Sequence, residues 1–164
     1  MLKLYYKLGQ MRFSSLMTVY EEGNREKARE KYGYLPEEAG LQQAEQDFYR
    51  YLADIFFPTS DSVYAVWEEG GQYRSALRLE PYRDGLLLSA LETAPESRRK
   101  GYGKLLVQAV LREIPNRKIY SHVHKKNVPS LALHTSCGFQ RISETAAYLD
   151  GSVNNRCCTL VYVK

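Results

Sequence analysis

The segment from Leu86 to Ile114 restricts the fold more than any other part of the chain. Leu86 to Thr93 is mostly apolar over eight residues, which marks a strand in the middle of a sheet. Pro95 stops it, because proline cannot extend a ladder. The loop Arg98-Arg99-Lys100-Gly101-Tyr102-Gly103 follows, and then a run with Leu105, Leu106, Ala109, Val110 and Ile114 on one side. That spacing predicts a helix from Gly103 to Ile114, ended by Pro115-Asn116. A buried strand that turns through a short basic loop into a helix N-terminus belongs in a mixed α/β domain built on a central sheet.

The same junction is suited to hold an anion. First-turn N–H groups have no helical acceptor, and the helix dipole adds positive potential there. Gly101 and Gly103 lack a Cβ and let backbone approach a phosphate closely. Arg98, Arg99, Lys100 and Lys104 add charge around it. Two better-known phosphate motifs are excluded. A dinucleotide fingerprint needs a small residue three positions after Gly103, where this chain has Leu106. A P-loop needs Ser or Thr after Gly103-Lys104, where it has Leu105. Taken alone, the segment also reads as a plain turn with solvated basic residues.

Around this junction the periodicity gives an order of elements. A strand over Leu2 to Leu8 precedes a helix carrying Phe13, Leu16, Met17 and Tyr20. Gly23-Asn24 marks a break or a second short helix. Pro36 opens another helix, with Ala44, Phe48, Tyr51, Leu52 and Ile55 on its stripe. Strands follow over Val63 to Trp67 and Tyr73 to Leu79, then the Leu86–Thr93 strand and its helix. Ile119 to His124 is a strand, Pro129 to Cys137 a helix closed by Gly138. Two strands, Arg141 to Leu149 and Arg156 to Val163, finish the chain. At 164 residues and 44% apolar this is one domain with room for a core. Three cysteines, two of them adjacent, make no disulfide framework and no zinc spacing, so reduced thiols and a cytoplasmic location are expected, with no metal. No run of about 18 apolar residues suggests a membrane span. A net charge of +4 suits a small anionic ligand as well as a nucleic acid. The chain lacks the interleaved aromatics of nucleic-acid modules, so no nucleic-acid partner is expected.

Arg98-x-x-Gly101-x-Gly103, after an apolar strand and Pro95, resembles motif A of the GNAT superfamily of N-acyltransferases. Downstream, Asn127-x-x-Ser130-x-x-Leu133-His134-x-x-x-Gly138-Phe139 is similar to that family's Asn-x-x-Ala/Ser-x-x-Leu-Tyr-x-x-x-Gly-Phe stretch. The element order is also that of the family, from about Tyr73 onward. The resemblance implies a mixed α/β GNAT-type fold: a mostly antiparallel central sheet, splayed after the fourth strand, with helices on both faces. It implies one acyltransferase domain over 1–164, with variable helices in 1–62 and a CoA-binding core in 63–164. It implies acetyl-CoA as co-substrate and direct attack of an acceptor amine, on a small molecule or a protein, in a monomer or homodimer. A CoA-binding sensor domain without efficient turnover is the other reading.

The same resemblance implies roles. Amides from Arg99 through Tyr102 to Lys104 would hold the pyrophosphate. The backbone of Leu91 and Thr93 would pair with the pantetheine arm like an added strand. Asn127 and Ser130 would touch the pantetheine side, and Asn127 also suits a helix N-cap. His134 stands where the family has the tyrosine thought to protonate the leaving thiolate. Histidine titrates near 6.5 and tyrosine near 10, so acid help from His134 would depend on pH. Alternatively His134 only packs. His122, five residues before Asn127, is the first candidate for the base. His124 shares its strand face by the two-residue period, and Glu92 near the end of the fourth strand is the third candidate. Tyr120 and Tyr148 are available to line an acceptor pocket.

Overall fold

The computed structural model describes residues 1–114 and 116–164. Pro115, expected with Asn116 to end the helix from Gly103, lies outside the described residues. Strand β1 covers Leu2–Tyr5, and the helices α1 Phe13–Val19, α2 Glu21–Tyr32 and α3 Glu37–Tyr51 follow it. Then come β2 Val63–Glu69, β3 Gln72–Tyr82 and β4 Gly85–Thr93. Helix α4 Tyr102–Glu113, β5 Lys118–His124 and α5 Val128–Ser136 complete the middle. The chain ends in β6 Gln140–Ser143, β7 Ala146–Ala147, β8 Val153–Asn154 and β9 Cys157–Tyr162.

Seven strands form one sheet in the order β1-β2-β3-β4-β5-β9-β6. Every neighbour is antiparallel except β4 and β5. On one face Leu106, Val107 and Val110 of α4 pack on Leu77, Leu79, Leu86, Leu88 and Ile119. On the other, Leu16 and Val19 of α1 with Leu52 and Phe56 after α3 pack on Tyr64, Val66 and Ala76. Each such large side chain contributes roughly 1.5–3 kcal/mol when fully buried.

Of the two readings at Gly23-Asn24, the second helix is the one present: α2 runs through it from Glu21, whose charge and that of Glu22 suit a helix N-terminus. Asn24 is buried there, its Nδ2 donating to Met17 Sδ at 3.4 Å. One expectation for local structure changes. The strand expected over Arg141 to Leu149 divides. Its first part, β6, stays in the main sheet beside β9, while β7 pairs with β8 in a separate ribbon. The left-handed Gly151 (φ 89°) turns the chain back between β7 and β8.

The opening in the sheet follows from two local features. The parallel ladder of β4 and β5 runs only from Gly85↔Lys118 to Leu88↔Ser121. Beyond it, β4 bulges: Ala76↔Glu92 and Arg78↔Ser89 place three steps of β4 against two of β3. Ala90 takes the left-handed conformation at this bulge (φ 52°), and Tyr20 Oη donates to its carbonyl at 2.6 Å. Meanwhile β5 stays paired with β9 as far as His124↔Cys157. The two strands therefore diverge in a V.

The closed end of that V depends on Gly85. A Cβ there would stand 2.2 Å from the Lys118 carbonyl oxygen. Gly85→Ala is expected to destabilise the domain by about 1–3 kcal/mol, the usual range for overpacking, read as a lower urea midpoint.

Candidate active site

The loop into α4 has the geometry of an anion cradle. Arg99 (φ 62°) and Gly101 (φ 82°) are both left-handed. Gly101 is the N-cap of α4, and no side chain caps the helix. Among the described residues, no backbone carbonyl accepts from the N–H groups of residues 99–104. Space beside Gly101 is open, with nothing within 4 Å of a built Cβ. Gly103 is packed instead: a Cβ there would lie 3.3 Å from Leu133 Cδ1 and 3.4 Å from Thr93 Oγ1. The loop thus sits where the end of β4, α4 and α5 converge. Arg98 does not face the cradle freely, since its guanidinium pairs with Glu22 of α2 at 2.6 Å. Arg99, Lys100 and Lys104 are exposed around the loop. Several orphan N–H groups, a helix dipole and loose cations make a site for a pyrophosphate-like anion.

Below the loop, the edge of β4 that faces β5 has no strand partner after Leu88, so Leu91 and Thr93 lie on an open backbone edge. Asn127 caps α5, its Oδ1 accepting from the Ser130 N–H at 3.2 Å. The two strand edges and the start of α5 border one slot.

The three histidines differ sharply. His134 is only 2% exposed. The Ser130 carbonyl, 2.7 Å from Nδ1, can only accept, so the ring proton sits on Nδ1. Nε2 then accepts from the Ser121 hydroxyl at 2.9 Å. Burial pushes the pKa of His134 below the ordinary histidine value, against a small opposite pull from the Ser130 carbonyl. This is a neutral imidazole with both nitrogens engaged. His122 is the first β5 residue past the closed ladder. Its two ring nitrogens are buried without any hydrogen-bond partner among the described residues. Tyr82 and Tyr148 flank the ring edge-to-face at 5.3 and 5.2 Å. Burial, and secondarily the positive charge of Arg83, lower its pKa. His124 is exposed, and its Nδ1 accepts from the Lys126 N–H at 3.1 Å.

Both lowered histidines make stability depend on acid. A depressed folded-state pKa means that the unfolded chain binds the proton first, so stability is lost as pH falls below the ordinary value of 6.5. The melting temperature is expected to fall between about pH 7.5 and 5.5, and His134→Gln is expected to flatten that slope. Thermal melts in matched buffers check it.

On the α1–α3 side of the sheet lies a cavity of about 900 Å³. Tyr20, Phe48, Tyr51, Arg78, Ala90 and Glu92 line it, among others. Glu92 is open to the cavity, but the protein crowded around it raises its carboxyl pKa; Arg98 opposes this and Glu22 adds to it. Sequence reading did not single out Arg78, Tyr20 or Tyr51. The signal for Arg78 is a charge on the face that Ala76 turns to the core. Neither tyrosine named for the pocket lines this cavity. Tyr120 donates to Asp84 Oδ1, and Tyr148 covers His122. Among the described residues no cluster of His, Cys, Asp and Glu is arranged to hold a metal ion. No described helix is long and apolar enough to cross a membrane.

A sheet splayed between parallel strands beneath an uncapped helix N-terminus is the fold that the resemblance implies, and comparison with known proteins bears that fold out. The sequence profile of the acetyltransferase (GNAT) family matches residues 22–139, so this chain belongs to that family. The match begins within α2, ahead of the CoA-binding core expected from residue 63. Peptidyl-lysine N-acetyltransferase YiaC of Escherichia coli (strain K12) is 32% identical over 74 residues. That alignment covers 45% of this chain and 47% of YiaC, so the chain matches about half the length of that relative. Among solved structures, ribosomal-protein-alanine N-acetyltransferase from Brucella melitensis superposes with a TM-score of 0.61 at 17% identity, over 100% of this chain and 99% of that one. PaiA N-acetyltransferase from Thermoplasma acidophilum, in complex with coenzyme A, gives 0.57 at 13% identity over 98% of both chains. At these identities the structures share the fold.

Proposed function

We propose that this protein transfers an acetyl group from acetyl-CoA to the amine of an acceptor bound in the cavity between α2, α3 and the sheet. The observation that carries this reading is the alignment of the open β4 edge with the uncapped N-terminus of α4. In this reading the amides of residues 99–104 hold the pyrophosphate, Arg99, Lys100 and Lys104 screen its charge, and Leu91 and Thr93 pair with the pantetheine amides. Asn127 and Ser130 border the arm from α5. Acetyl-CoA would supply the activated acyl carbon. His122 is the base: it is neutral, has a free nitrogen, and stands on the acceptor face just past the start of the splay. It would take the proton that the amine nitrogen must lose as the N–C bond forms and the thioester C–S bond breaks, with CoA leaving as its thiolate and taking a proton from water. Tyr148, on the β7–β8 ribbon, must shift to admit the amine to it. Glu92, across the slot, is placed to attract a cationic amine.

His134 is better read as a positioning residue than as the acid. Its one ring proton is committed to the Ser130 carbonyl, and burial keeps it neutral at pH 7. By bonding Ser121 it fastens α5 to β5 at the last rung before the splay. The same observation favours the second reading, a CoA-binding domain with little turnover.

One experiment separates the two. CoA or acetyl-CoA is expected to raise the melting temperature, with about 2.7 kcal/mol of stabilisation at a hundredfold excess over Kd. Thiol release from acetyl-CoA is then followed against a panel of amines. Binding without release on any amine would leave the sensor reading; no CoA binding in the millimolar range would end both.

A further inference from the structure

We propose that the acceptor is a small amine bearing a carboxylate, of the amino-acid class, and that Arg78 is the residue that binds this carboxylate. The proposal rests on the cavity being the acceptor site.

Arg78 lies on β3, on the face turned toward α3, and lines the cavity. Its guanidinium stacks on the Tyr51 ring at 4.8 Å. The Nε is buried with no acceptor. No ion pair among the described residues includes Arg78. Glu30, Asp47 and Glu92 line the same cavity, but none is within ion-pair distance of Arg78. Glu80, two residues along the same face, accepts from the Ser89 hydroxyl at 3.3 Å. Asp47 accepts from Tyr32 Oη at 2.6 Å and from Lys31 at 3.0 Å. A partly desolvated guanidinium without an anion is costly, and stacking on an aromatic ring compensates only in part. The planar fork that remains is the shape that takes a carboxylate through two parallel hydrogen bonds.

The charge count fits a single carboxylate better than a phosphate. Arg78 is the one cation at the sheet floor of the cavity, because Lys27 and Lys31 approach from α2 and Lys31 is already paired. The register sets the reach. Arg78 pairs with Ser89 on β4, and His122 on β5 is the next residue after the Leu88↔Ser121 rung. Arg78 and His122 are thus at least two interstrand spacings apart across the opening, about 10 Å or more between backbones. Both side chains stand on the same face of the sheet, Arg78 against Tyr51 and His122 between Tyr82 and Tyr148. An amine at His122 and an anion at Arg78 therefore belong to one small molecule.

The test compares acceptors that differ only at the carboxylate: an amino acid, its amide and its decarboxylated amine, for instance phenylalanine, phenylalaninamide and phenethylamine, repeated for several side chains. With the wild-type protein, kcat/KM is expected to favour the carboxylate form by about tenfold or more, mostly through KM. Calorimetric titration into the CoA-loaded protein is expected to show the same order. In Arg78→Gln the ratio is expected to fall toward one, with Kd for CoA unchanged. Arg78→Lys keeps the charge but not the fork and should retain part of the preference. Equal or better use of the neutral amines by the wild-type protein would overturn the proposal while leaving acetyl transfer intact. So would a preference that survives in Arg78→Gln. Failure of the wild-type protein to bind CoA would instead overturn the underlying function, and the wild-type comparison needs no variant to fold.

Discussion

Gly101→Glu will remove CoA binding, raising Kd by about a hundredfold or more, while the domain still folds. The first reason is steric and electrostatic. Gly101 is the N-cap of α4, and a Cβ there has no protein atom within 4 Å, so a new side chain starts beside the cradle without a clash. A carboxylate there competes for the same orphan N–H groups and repels a pyrophosphate. The second effect is strain. Gly101 holds φ 82°, which L-residues adopt at a cost of about 1–2 kcal/mol. Gly101→Ala isolates that cost, because it carries the strain without the charge. The expected pattern is a similar small loss of melting temperature in both variants and loss of binding only in Gly101→Glu. Gly103→Glu should also fail to bind, but less cleanly, since its Cβ would press on Leu133 and Thr93 and disturb the packing of α4 on α5. Calorimetric titration showing Gly101→Glu bound to CoA as tightly as the parent would place the pyrophosphate elsewhere.

What could be read from the sequence follows from the range of the forces involved. The strand–loop–helix junction was legible because it is local: apolar run, proline, two glycines and a period of 3.6 lie within thirty residues. The Asn127 cap of α5 is local too, whereas the slot was implied only by the resemblance, because it depends on β4 leaving β5 while β5 stays with β9. Features that depend on partners far along the chain were not legible. The division of the Arg141–Leu149 stretch depends on β9 taking β6 and on β8 taking β7. The engagement of His134 depends on Ser121, thirteen residues away on another element. The resemblance left it open between an acid and a residue that only packs, and the hydrogen bonds across α5 and β5 describe a neutral tether. Arg78 is the sharpest case. An arginine within a strand carries no meaning until register places it over a cavity, against Tyr51 and in no ion pair among the described residues. At Gly23-Asn24 the sequence left a break or a second helix open, and the burial of Asn24 against Met17 accompanies the helix.

The largest kinetic effect should come from His122. Replacing it by Gln is expected to lower kcat by about a hundredfold or more, within the usual range for general acid–base groups. The pH dependence identifies the mechanism. A base works in its neutral form, and burial with Arg83 holds the pKa of His122 below 6.5. The wild-type kcat should therefore stay level down to that value and fall only below it, as the imidazole charges. In His122→Gln that acidic limb should vanish along with the rate. Arg83 supplies a test that spares the ring itself. It stacks on Tyr82 at 5.2 Å, and Tyr82 packs on His122, so its charge acts on His122 through space. Arg83→Gln removes that charge and should move the limb to higher pH, with the His122 NMR titration moving in step. Glu92→Gln is the competing variant, because burial raises the Glu92 carboxyl and makes it a stronger base than an ordinary carboxylate. If the limb disappears in Glu92→Gln and persists in His122→Gln, the proton goes to the carboxylate. If Arg83→Gln shifts the NMR titration of His122 but leaves the limb in place, His122 is buried in the acceptor face without touching the chemistry.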